Sequence, residues 1–64
     1  MAKKEPAQQF PFAILGVYDG TIQVSEIILA SSAKSAETEA TLLTVAKVDG
    51  KPNPDLIEIH VRPF

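Results

Sequence analysis

The apolar positions of this chain alternate at both ends and lose their alternation in the middle. Residues 12–18, Phe-Ala-Ile-Leu-Gly-Val-Tyr, are β-branched and aromatic, the composition of a strand, and Asp19-Gly20 follows at once. An Asp-Gly pair between apolar runs marks a two-residue hairpin, because Gly accepts the positive φ that a type I′ turn demands. Thr21-Ile22-Gln23-Val24 then alternates, and Ile27 and Leu29 resume the pattern on the opposite parity. One extra residue near Ser25 or Glu26, a β-bulge, would return Ile22, Val24, Ile27 and Leu29 to one face. Leu56 to Arg62 is the cleanest strand of the chain: Ile57, Ile59 and Val61 point one way, Glu58, His60 and Arg62 the other. Pro63 stops that strand.

The middle of the chain reads less clearly. Residues 31–38, Ser-Ser-Ala-Lys-Ser-Ala-Glu-Thr, are small and polar and read as a loop. In 39–48, Thr41, Thr44, Val45 and Val48 favour a strand, whereas Ala36, Ala40, Leu43 and Lys47 sit at helical spacing among good helix formers. The strand reading gives a mostly β fold, a small four-stranded antiparallel meander or barrel-like sheet; the helix reading gives a ββαβ arrangement with a helix near 35–47. Either way residues 10–64 form a single small domain, preceded by residues 1–9 as a flexible tail that is polar, aperiodic and interrupted by Pro6.

Both faces of the first hairpin carry apolar side chains, at Ala13-Ile14-Leu15 and Ile27-Ile28-Leu29. Burying Ile14, Leu15, Ile28 and Leu29 is worth roughly 6–12 kcal/mol at roughly 1.5–3 kcal/mol each. An open sheet buries only one face, so a helix, closure into a barrel or a second copy has to cover the other. Phe12, Ile14, Leu15, Ile28, Leu29 and Phe64 are therefore the expected oligomer interface. Small size strengthens that expectation, since a chain of 64 residues buries a small fraction of its surface and leans on a disulfide, a metal or a partner for stability. With no Cys and one His, thiolate and repeated-imidazole metal sites are out, and no cofactor is expected.

Charge narrows the partners. From Phe10 onward four basic residues face seven acidic ones, a net of 4 − 7 = −3. Such a surface repels a phosphate backbone. Nucleic-acid binding is thus the alternative rather than the leading reading, and would use a sheet face with the Lys3-Lys4 tail assisting. Phe12 and Tyr18 share parity as stacking residues would, but their neighbours are not basic. No apolar run approaches the roughly 20 residues of a membrane span, and residues 1–9 lack the apolar core of a secretory signal. The cytoplasm is the default location on that ground.

Two groups of residues carry candidate chemistry. Glu58, His60 and Arg62 form a row on one strand face: either a catalytic or anion-binding row, with His60 as base and Arg62 as anion partner, or an ordinary solvated face. The connector from Asp49 to Asp55 holds Lys51, Pro52, Asn53 and Pro54. A calcium loop would place oxygen ligands at its first, third and fifth positions, and Lys51 occupies the third. The connector is either a plain turn or a proline-stiffened loop that docks into a partner at low entropic cost. Ser31, Ser32 and Ser35 lie in no nucleophile elbow, and no glycine-rich phosphate loop is present. The expectation is a non-enzymatic binding or structural module, such as an inhibitor or assembly factor, that contacts another protein or copies of itself.

Overall fold

The computed structural model describes residues 8–64. The elements run β1 (Phe10–Tyr18), β2 (Thr21–Ala30), α1 (Ala33–Lys47), a 3₁₀ turn (Pro54–Leu56) and β3 (Ile57–Pro63). The strands form one antiparallel sheet in the order β2-β1-β3. Because β2 and β3 both oppose β1, they run parallel to each other, and α1 is the crossover between them. The ββαβ alternative is the architecture found. The four-stranded meander or barrel is not: the helix Ala33–Lys47 takes up all of 39–48 but its last residue, the extended C-cap Val48, and it starts inside the segment expected to be a loop.

The reason lies in the helix's contact face. Ala36, Ala40 and Thr44, one turn apart, are all fully buried. They are small, so they mark no apolar stripe of the kind that announces a surface helix. The β-branched threonines, which favour strand on propensity, bond back to the helix. Thr38 Oγ1 donates to the Lys34 carbonyl at 3.2 Å, Thr41 to Glu37 at 2.8 Å and Thr44 to Ala40 at 2.7 Å. Ser32 caps the N-terminus, its Oγ accepting from Ser35 N–H at 3.1 Å.

Small residues let the helix lie close to the sheet. Gly16 of β1 is buried beneath it, and a Cβ at Gly16 would overlap the Thr44 hydroxyl and fall 3.0 Å from its Cβ. Around this contact Phe12, Ile14, Val24, Ala30, Ala36 and Ala40 form the core, with Ile28, Leu43, Ile59 and Val61 packed against it.

The hairpin turn agrees with the sequence: Asp19 and Gly20 have φ of 50° and 79°, both positive as a type I′ turn requires. The bulge sits elsewhere than expected. Val17 pairs with Ile22 and Gly16 with Val24, which leaves Gln23 as the extra residue, rather than Ser25 or Glu26. Its effect is to split the four residues it was expected to unite. Val24 faces the helix, opposite Gly16, while Ile22, Ile27 and Leu29 face the other way, with Val17, Ala13 and Pro11 as their β1 partners.

Candidate functional site

One helix covers one face of the sheet, and among the described residues no layer covers the other. Registers place Ala13, Leu15 and Val17 of β1 at its centre, Ile22, Ser25, Ile27 and Leu29 on the β2 side, and Glu58, His60 and Arg62 on the β3 side. The β1 residues are half-buried by their neighbours. On β2, Ile22, Ile27 and Leu29 are 60%, 51% and 63% exposed. The face is therefore aliphatic across two strands and charged along the third.

The charged row holds the three residues the sequence singled out, in the expected alternation. Glu58 lies opposite Val17, His60 opposite Leu15 and Arg62 opposite Ala13. His60 Nε2 is 3.8 Å from Glu58 Oε1, too far for a hydrogen bond, and both side chains are mostly in solvent. An exposed pair with that geometry contributes little. The serine hydroxyls serve the start of α1: Ser32 caps it and Ser31 Oγ lies 3.4 Å from Ser35 Oγ. Among the described residues no three His, Asp or Glu side chains gather as metal ligands.

The connector folds as a structured turn. Gly50 has φ 76°, Asn53 Oδ1 accepts from Asp55 N–H at 3.0 Å, and Asn53 N–H donates to the Tyr18 hydroxyl at 2.8 Å. This brings Asn53 to the end of β1, beside the hairpin turn, while Lys51 and Pro54 are exposed and Pro52 is half-buried. The loop residues and the His60–Arg62 part of the row thus lie toward different ends of the sheet.

The residues expected at an interface divide between the two faces. Phe12 and Ile14 are core beneath α1 with Ile28 packed against them, whereas Leu15 and Leu29 lie on the uncovered face and Phe64 is exposed. Ile22 and Ile27 belong to the uncovered face and were missed. The signal was present in the hairpin: a two-residue Asp-Gly turn pairs Val17 with Ile22, which assigns Ile22 to the face of Leu15 rather than that of Ile14. Lys3 and Lys4 lie outside the described residues.

Compared with protein-family models, curated proteins and solved structures, the chain matches none. Among the described residues no helix is long and apolar enough to cross a membrane.

Proposed function

We propose that this protein is a non-enzymatic module that works through protein–protein contact, as a homo-oligomer, with the uncovered sheet face as its contact surface. The observation that carries the reading is the exposure of Ile22, Ile27 and Leu29 beside Leu15 and Val17 on one continuous face. Contiguous apolar surface of this kind on a small domain marks a contact site, and its removal from water is the main favourable term in association. A second copy brings an identical aliphatic face, which suits it as the occupant.

Nucleic acid fits this surface less well. Phe12 is used in the core and the Tyr18 hydroxyl holds Asn53, which leaves Phe10 as the exposed phenylalanine of β1, short of the two or three aromatics of a stacking platform. Along the charged row one cation, Arg62, shares the strand face with the carboxylate Glu58, which leaves no net positive charge there to draw a phosphate backbone.

Light scattering of the full chain over a wide micromolar range tests the reading. A mass rising above that of one chain supports it, and a single-chain mass throughout rejects it.

A further inference from the structure

Among the described residues both edges of the sheet, β2 and β3, are unpaired, and they differ. The β2 edge carries a bulge at Gln23 and, in its middle, Glu26, whose register opposite Ile14 aims a charge toward the helix-covered side. Bulges and inward-facing charges are devices that keep an edge from pairing with another strand. The β3 edge pairs with β1 without a bulge over its whole length. An open groove runs beside this edge, its lining including Ala33, Lys34 and Glu37 of α1 and Ile59 and Val61 of β3.

The backbone bonds at the two ends of β3 show which groups this edge offers. Phe64 N–H donates to the Pro11 carbonyl and Asp19 N–H to the Leu56 carbonyl. In an antiparallel ladder bonded residues alternate, so Leu56, Glu58, His60, Arg62 and Phe64 turn their polar backbone groups toward β1. Ile57, Ile59 and Val61 turn theirs outward. Pro63, which has no N–H to offer, falls on an outward position, where proline is tolerated.

We infer that β3 of one copy pairs antiparallel with β3 of a second copy about a two-fold axis at His60, joining two sheets into one. This rests on the self-association proposed above and adds an edge contact to it, since pairing β3 with β3 leaves the aliphatic face open to a further copy. Its basis is that the strand's sequence is complementary to its own reverse. With His60 at the axis, the midpoint of β3, Glu58 meets Arg62 of the second copy and Arg62 meets its Glu58. Ile59 and Val61, both offering outward backbone groups, exchange both bonds with each other's copies, and Ile57 donates to the Pro63 carbonyl. At the flanks Leu56 meets Phe64, pairing a residue 39% exposed with one 77% exposed. Centring the axis on Val61 instead sets His60 against Arg62, and centring it on Ile59 leaves Arg62 against Leu56. An axis at His60 runs perpendicular to the sheet, so the two uncovered faces lie on the same side and merge, with the charged rows at the centre and the aliphatic stripes on either flank.

Sedimentation of Glu58→Arg, Arg62→Glu and the double exchange tests the pairing. Each single variant sets like charges opposite one another at both ends of the axis, which destabilises a cross-strand pair. Each should weaken dimerisation by about tenfold, and the double exchange should restore it to within about threefold of the parent. Both positions of the cycle are solvent-exposed in one chain, and unchanged circular dichroism and melting verify that the fold survives. A double variant as weak as the singles, or singles that associate like the parent, overturns the strand pairing while leaving contact through the sheet face intact. A parent chain that stays single at every concentration overturns both.

Discussion

Thr44 of α1 stands directly over Gly16 of β1, so close that the glycine position has no room for a β-carbon. Thr44 cannot easily give way, because it is fully buried and its hydroxyl is bonded to the Ala40 carbonyl. This contact sets the spacing between helix and sheet. Gly16→Ala is expected to destabilise the fold by about 1–3 kcal/mol, the usual cost of overpacking. Thr44→Ala opens the space, so the double variant should be more stable than the sum of the two single losses. Denaturant unfolding of the four proteins measures the coupling; strict additivity would mean that the two residues do not share this space.

Ser32 holds the start of α1 through its bond to Ser35 N–H. Replacing it with Ala removes that acceptor and should cost about 1 kcal/mol. Ser32→Asp should retain most of the stability, since a carboxylate also accepts at an N-cap. Thermal melts of both variants check the ranking.

Tyr18 ties the 49–55 connector to the end of β1 by accepting from Asn53 N–H. Tyr18→Phe should leave global stability within about 1 kcal/mol, because the bond is exposed and water can replace it. Its local effect should be larger: hydrogen exchange at the Asn53 amide should accelerate while the amides of β1 keep their protection. If β1 loses protection as well, the tyrosine hydroxyl anchors more than the loop.

Ile27 and Leu29 contribute to the uncovered face and are more than half exposed in the single chain. Ile27→Glu and Leu29→Lys should change the stability of a single chain by no more than about 0.5 kcal/mol. They should nevertheless shift the mass measured by light scattering toward one chain, because the apolar area buried on association is lost. Variants that associate as the parent does would remove the sheet face from the contact.

The strands at the two ends of the chain were legible from residues alone. Alternation from Leu56 to Arg62 and the Asp19-Gly20 signal are local properties: side-chain period and the φ tolerance of Gly decide them without help from distant residues. The row Glu58, His60 and Arg62 followed from the same alternation.

What the tertiary structure decided were the helix and the faces. Residues 39–48 carry β-branched side chains, and only the burial of Ala36, Ala40 and Thr44 against the sheet, with Thr44 close over Gly16, makes a helix there the better burial; a contact face of small residues leaves almost no imprint on hydropathy. The extra residue at Gln23 rather than at Ser25 or Glu26 is set by register against β1, a long-range match between strands. Since side chains on a strand alternate with period two, that shift of a few positions changes which apolar residues are core and which face outward.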